Sequence, residues 1–183
     1  MPKLDVLFVN ADSSKVAYQG LADKFSAIEP PTWSLLLAES CRSIGYEVAI
    51  LDCTAERLET NHAVERISDL NPRLVLFVVY GQNPNSGTTN MIGNTECCAS
   101  LKEQRPDLVT CFVGSHTSAL PKEVLSLSYV DLILQNEGVY SLRNLLKTNL
   151  KDELDKIKGI GFKKDGQLVL TKPEIPVPQE KMI

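Results

Sequence analysis

The sequence predicts a doubly wound α/β fold built on a five-stranded parallel sheet, on three observations. Leu74-Val75-Leu76-Phe77-Val78-Val79 has no polar position, the pattern of a strand buried on both faces in the middle of a parallel sheet. Short apolar runs of this kind occur five times and alternate with helical stretches. Polar loops rich in small residues follow the third, fourth and fifth runs, on the rim where open α/β sheets bind their ligands. The strand order expected of such a chain is 2-1-3-4-5.

Leu4-Asp5-Val6-Leu7-Phe8-Val9-Asn10 is the first strand. Residues 11–29 lack clear periodicity, and a stretch of that length in a compact domain reads as a functional loop. Pro30-Pro31 opens a helix in which Trp33, Leu36, Leu37, Ser40, Cys41 and Ile44 recur at i+3/i+4 spacing, closed by Gly45. Glu47-Val48-Ala49-Ile50-Leu51-Asp52 is the second strand. A weaker helix over 60–70 carries Ala63, Val64, Ile67 and Leu70 on one face, and Asn71-Pro72 ends it before the third strand.

The next stretch, Val79-Tyr80-Gly81-Gln82-Asn83-Pro84-Asn85-Ser86-Gly87-Thr88-Thr89-Asn90, reads as a loop shaped by Pro84 and Gly87. Gln82, Asn83, Asn85, Ser86, Thr88 and Thr89 are uncharged donors and acceptors. With no strong nucleophile and no charged base, it suits holding a ligand rather than reacting with one. A helix over 91–104 follows, then the fourth strand, Leu108-Val109-Thr110-Cys111-Phe112-Val113. Gly114-Ser115-His116-Thr117-Ser118-Ala119-Leu120-Pro121 is the second rim loop, followed by a short helix over 122–127. Val130-Asp131-Leu132-Ile133-Leu134 is the fifth strand, and Asn136-Glu137-Gly138 the third rim loop before a helix over 140–147. Beyond Asp152, Ile157-Lys158-Gly159-Ile160-Gly161-Phe162 and Gln167-Leu168-Val169-Leu170 flank Asp165-Gly166, a hairpin signal. Pro173, Pro176 and Pro178 mark an extended, linker-like end. Residues 1–150 are thus expected to form a ligand-binding domain, and 151–183 a hairpin and linker that stops where a next domain would begin.

Composition narrows the function classes. A net charge of -4 without a Lys/Arg cluster argues against a nucleic-acid surface, which needs phosphate neutralisation. No stretch approaches the ~18 to 20 apolar residues of a membrane span, and Asp5 stands where a signal peptide would begin its apolar run, so a cytoplasmic protein is expected. Cys41, Cys53, Cys97, Cys98 and Cys111 lack CxxC or CxxxCxxC spacing, which signals neither zinc nor an iron–sulfur cluster. They read as small buried hydrophobes in a reducing compartment.

Several nucleotide and signalling folds are excluded by their loops. A flavodoxin phosphate loop would follow strand one, yet Asn10-Ala11-Asp12-Ser13-Ser14-Lys15 holds no glycine. A receiver domain would place acids after strands one and three and a lysine after strand five; Asn10-Ala11, Val79-Tyr80 and Gln135-Asn136 stand there. There is no GxGxxG, no Walker loop and no GxSxG nucleophile elbow. Of the two histidines, His62 reads as a surface residue, while His116 in the second rim loop is placed either to contact a ligand or to cap the next helix. Glu137 could act as a general base, but an acid beside Gly138 at a helix start is more often a residue that complements the helix dipole.

These segments together resemble the N-terminal cobalamin-binding domain of B12-dependent radical S-adenosylmethionine enzymes. The resemblance is carried by Pro30-Pro31-Thr32-Trp33-Ser34-Leu35-Leu36-Leu37-Ala38 leading to Gly45-Tyr46-Glu47-Val48, by Tyr80-Gly81-Gln82-Asn83-Pro84-Asn85-Ser86, by Val113-Gly114-Ser115-His116-Thr117-Ser118-Ala119-Leu120-Pro121, and by Val130-Asp131 to Asn136-Glu137-Gly138. Gly159-Ile160-Gly161-Phe162 to Asp165-Gly166 is similar to the hairpin that leads to the radical barrel. The resemblance implies base-off cobalamin across the strand ends, with its nucleotide tail beside the sheet. It places Tyr80, Gly81, Gln82, Asn83, Pro84, Asn85 and Ser86 along the corrin and tail, Gly114, Ser115, His116 and Thr117 against the tail, and Asn136, Glu137 and Gly138 at the closing rim. Ser115 and Asn136 stand where the family usually has glycine.

The DxHxxG motif that supplies a histidine to cobalt in mutase-type domains is absent after strand one, so the lower cobalt face is expected to lack histidine, with water or a polar side chain such as Gln82 there. The CxxxCxxC motif is also absent. By the resemblance, the 4Fe-4S cluster, S-adenosylmethionine and the radical step lie in a separate domain, in cis or in trans. The chain alone binds without turnover, and the intact enzyme is expected to be a methyltransferase with cobalamin as methyl carrier. Two other readings stand beside this one: a stand-alone enzyme holding a nucleotide or flavin at the same rim, and a cofactor-free interaction domain whose rim is plugged by Trp33 or Tyr80.

Overall fold

A computed structural model describes residues 4–21, 28–81, 84–178 and 180. Its strands are β1 (Val6–Asn10), β2 (Val48–Asp52), β3 (Leu74–Val79), β4 (Val109–Gly114), β5 (Leu132–Leu134), β6 (Ile160–Lys164) and β7 (Gln167–Leu170). They form one sheet in the order β2-β1-β3-β4-β5-β6-β7. The first five are parallel in the expected 2-1-3-4-5 order, with β1 and β3 in register as Val6↔Leu74 to Val9↔Phe77. The C-terminal hairpin extends this sheet: β6 pairs antiparallel with β5, Leu132 opposite Phe162.

The helices are α1 (Ser14–Tyr18), α2 (Thr32–Arg42), α3 (Thr60–Leu70), α4 (Pro84–Gln104), α5 (Ser115–Ala119), α6 (Pro121–Ser126) and α7 (Val139–Leu146). Alternation along the strands divides the core between two faces. Val75, Phe77 and Val79 of β3 face α3, α4 and α6 through Val64, Ile67, Leu101 and Leu125. Leu74, Leu76 and Val78 face α2 and α7 through Leu37, Cys41, Leu142 and Leu145. All six residues of β3 are buried, as expected of the central strand.

Several expectations are corrected. Residues 11–29 are not a uniform loop, since α1 and a 3-10 turn (Gln19–Leu21) occupy part of them and 22–27 lie outside the described residues. Helix α2 buries Ser34, Leu37, Ala38 and Cys41, spaced i, i+3, i+4, i+7, whereas Trp33, Leu36 and Ile44 from the expected face are exposed. The stretch 79–90, read as a loop, is mostly helix: α4 starts at Pro84, seven residues before the expected 91, because proline is accommodated in a first helical turn. Its glycines serve close packing rather than turning. A Cβ on Gly93 would lie 2.2 Å from the Asp12 carbonyl oxygen, and one on Gly87 2.2 Å from Ser115 Oγ. The second rim loop is likewise largely helical, as α5.

The hairpin turn carries Asp165 at φ 50° and Gly166 at φ 76°, the two left-handed positions of a type I′ connection. Residues 171–178 adopt neither helix nor strand and return to the rim, where the Gly159 amide donates to the Lys172 carbonyl and the Val177 amide to Glu137 Oε2, 2.9 Å. Among the described residues no helix is long and apolar enough to cross a membrane.

All five cysteines are free and buried. Burial pushes the thiols of Cys41, Cys53 and Cys98 up to about 12, and those of Cys97 and Cys111 upward as well. A group protonated more readily when folded than when unfolded gives stability that is intact below its unfolded pKa, about 8.5 for cysteine, and lost as pH rises toward the folded value. The unfolding free energy from urea titration should therefore hold steady from pH 7 to 8.5 and fall between pH 9 and 10.5, by up to about 1.4 kcal/mol per thiol per pH unit, with the urea midpoint falling alongside. A midpoint unchanged over that range would contradict this account.

Candidate functional site

Strand order decides where the site is. The connection after β1 runs to one side of the sheet and that after β2 returns to the other, so the chain parts between the ends of β1 and β3, where open sheets bind ligands. A cleft of about 770 Å³ opens there, lined by the strand ends Asn10, Asp52 and Tyr80 and by Asp12, Thr54, Trp33 and Asn94. No lysine or arginine is among its described lining residues.

The floor is a cross-linked set of short polar side chains. Asn94 on α4 accepts from the Ala11 amide through Oδ1 (3.2 Å) and donates to the Asn90 carbonyl through Nδ2 (2.8 Å). Ser13 Oγ accepts from the Gly93 amide (3.1 Å) and donates to the Asn90 carbonyl (3.2 Å). Asp12 accepts from the Ser14 amide and hydroxyl, 2.9 Å each, and from Thr54 Oγ1 at 3.4 Å. These bonds clamp the segment after β1 onto α4, which is possible because Gly93 has no side chain. Asn10 Oδ1 accepts from Ser34 Oγ at 2.8 Å, while Asn10 Nδ2 is buried with no partner among the described residues.

The residues expected at the rim converge on the peptide of Asn136. Its amide donates to Ser118 Oγ at 2.8 Å, and its carbonyl accepts from the Tyr80 hydroxyl. Burial, reinforced by the Glu137 carboxylate, pushes the Tyr80 phenol up to about 12, so it remains a donor at neutral pH. Asn136 has φ 56° and Gly138 φ 72°. Asparagine tolerates the left-handed region, which is why it serves at 136 in place of glycine. Glu137 is drawn away from general-base chemistry by its bond to the Val177 amide. Tyr80 also stacks on Trp33, with ring centroids 4.4 Å apart and planes 22° from parallel. The pair forms one edge of the cleft.

At the end of β4, a Cβ on Gly114 would sit 2.1 Å from the Val79 carbonyl oxygen, so only glycine lets the third and fourth strand ends close up. The hydroxyls of Ser115 and Thr117 are buried without partners among the described residues. His116 Nδ1 lies 3.1 Å from Thr88 Oγ1, tying α5 to α4, and His62 is exposed on α3. Gly81 lines the cleft; Gln82 and Asn83 lie outside the described residues, as do the side chains of 84–86, which open α4. Among the described residues no group of three or more His, Cys, Asp or Glu side chains is arranged to hold a metal ion.

Asn10, Asp12, Ser34, Thr54 and Asn94 were missed by reading loop composition alone. The available signal was the strand order: 2-1-3 puts the parting of the chain at the end of β1, where Asn10 stands.

Comparison with known proteins gives one direction. The family model of the B12 binding domain matches residues 18–146. The anaerobic magnesium-protoporphyrin IX monomethyl ester cyclase of Synechocystis sp. is 26% identical over 149 residues, covering 79% of this chain and 28% of that protein. The radical S-adenosylmethionine methyltransferase TsrM from Kitasatospora setae, solved with cobalamin and a [4Fe-4S] cluster bound, superposes with a TM-score of 0.71 at 18% identity, over 99% of this chain and 31% of that one. The cobalamin-dependent S-adenosylmethionine radical enzyme OxsB with aqua-cobalamin bound gives 0.67 at 20% identity, over 95% and 23%. The chain thus spans less than a third of the length of each of these relatives.

Proposed function

The chain belongs to the B12-binding domain family, and on that footing we propose that it holds base-off cobalamin as a methyl carrier for a radical S-adenosylmethionine domain, in cis or in trans. The observation that carries the reading is the cleft at the parting of β1 and β3, whose edge residue Tyr80 is bonded to the rim at Asn136. The donor set fits the group. Cobalamin presents neutral amides around its ring, and the cleft and rim offer uncharged Asn, Ser, Thr and Tyr side chains, some of them buried and unpartnered.

When bound, cobalamin supplies a cobalt centre able to accept and give up a methyl group. This chain's part is to bind and orient it: Tyr80 and Gly81 at the cleft edge, residues 82–86 at the start of α4, Gly114, Ser115, His116 and Thr117 beside the tail, and Asn136, Glu137 and Gly138 closing the rim. The engagement of His116 with Thr88 and the exposure of His62 support a lower cobalt face without histidine. The 4Fe-4S cluster and S-adenosylmethionine belong to the other domain, residues 151–183 serve as the connection toward it, and this chain alone does not turn over. Five free, buried thiols are in keeping with a reducing compartment such as the cytoplasm. The Synechocystis relative, named a cyclase, supports a second reading in which the same module serves a cyclisation in place of a methyl transfer.

The purified chain, incubated with hydroxocobalamin and freed of excess by gel filtration, should retain about one equivalent with a base-off ultraviolet-visible spectrum. His116→Ala should leave that spectrum unchanged. Failure to retain cobalamin would overturn the binding reading, and a spectrum altered by His116→Ala would overturn the histidine-free face.

A further inference from the structure

At the floor of the cleft, one buried polar group is only half used. Asn10, the last residue of β1, has its carboxamide oxygen held by the hydroxyl of Ser34, which is 1% exposed and fixed near the start of α2. The other end of the same carboxamide, Nδ2, is buried and has no acceptor among the described residues. Leaving a buried donor unmade costs more than the bond itself contributes, so such a group in a binding cleft points to an acceptor that arrives with the ligand.

We propose that Asn10, oriented by Ser34, is a ligand-contacting hydrogen-bond donor at this site, and that its acceptor is an uncharged oxygen of the cofactor. The inference rests on the cobalamin reading above. The surroundings select the class of acceptor. Asp12, Asp52 and Glu29 line the same cleft and no lysine or arginine does among its described residues, so a phosphate would meet uncompensated negative charge. Two neutral sources share the required chemistry, an amide carbonyl on the rim of the corrin and a ribose oxygen of the nucleotide tail.

The test measures dissociation constants for hydroxocobalamin and for aquocobinamide, which has the corrin amides but no nucleotide, by absorbance titration of wild type, Asn10→Leu, Asn10→Asp and Ser34→Ala. Asn10→Asp keeps an acceptor for Ser34 and removes the donor, so it reports on the contact if the leucine variant folds poorly. Both Asn10 variants should weaken cobalamin binding about tenfold. Ser34→Ala should weaken it about threefold and add little to Asn10→Leu in the double variant, since Ser34 acts through Asn10. An equal loss for cobinamide assigns the acceptor to the corrin amides, and a loss confined to cobalamin assigns it to the ribose. Wild-type affinity in both Asn10 variants overturns the proposal while leaving the cobalamin reading intact. A wild-type protein that binds neither corrinoid overturns that reading and this inference with it.

Discussion

Gly114→Ala should destabilise the protein by about 2–4 kcal/mol and abolish retention of cobalamin. The added Cβ would lie 2.1 Å from the Val79 carbonyl oxygen and 2.6 Å from its carbonyl carbon. Both are backbone atoms of the neighbouring strand, so no rotamer change relieves the clash. β3 and β4 must separate at the rim, where Val79 pairs with Gly114. The segments that move are those carrying Tyr80 on one side and Ser115 to Thr117 on the other, so stability and binding should fall together. Thermal unfolding and gel-filtration retention of hydroxocobalamin, measured on the same preparation, check this. A variant that keeps wild-type stability and cofactor would show that the rim is looser than its packing implies.

Phe77→Ala should cost about 3–5 kcal/mol and lower the thermal midpoint by roughly 10 °C. Phe77 is fully buried on β3 and stacks on Phe112 of β4, with centroids 5.0 Å apart and planes 21° from parallel. Its loss opens a cavity between the sheet and the helices on that face, lined by residues from both neighbouring strands that cannot collapse without shifting the central strand. A double-mutant cycle with Phe112→Ala should reveal a coupling of about 0.5–1.5 kcal/mol, the part belonging to the aromatic pair itself. Additive losses would assign the whole effect to burial.

The elements most legible in the sequence were those whose periodicity is decisive. β3 is apolar throughout and was located to the residue, as was α3, whose Ala63, Val64 and Ile67 form the buried face. The start of α4 was not legible, because Gly87 and Gly93 are ordinarily signs of a turn, and only the nearness of Ser115 and Asp12 turns them into packing positions. In α2 the excess of leucines concealed which face is buried, and Leu36 proved exposed while Ser34 is buried beside Asn10. The attachment of the hairpin to β5 is a tertiary choice that its local pattern does not contain. For the site, loop composition located Tyr80, Gly114 and Asn136 at a common rim, yet the cleft is built equally from β1 and β2, whose ends carry no glycine signature.

The antiparallel β6 and β7 reverse the chain twice, so that residues 171–178 emerge on the same rim as the ligand cleft and are fastened there through Glu137. A group carried just beyond that segment would be tethered above the cofactor face, and its encounter with the cofactor would be governed by tether length rather than by bulk concentration. Short flexible tethers in general produce local concentrations in the millimolar range. Were a partner attached there, its reaction with a cofactor held in the cleft would be unimolecular and insensitive to dilution.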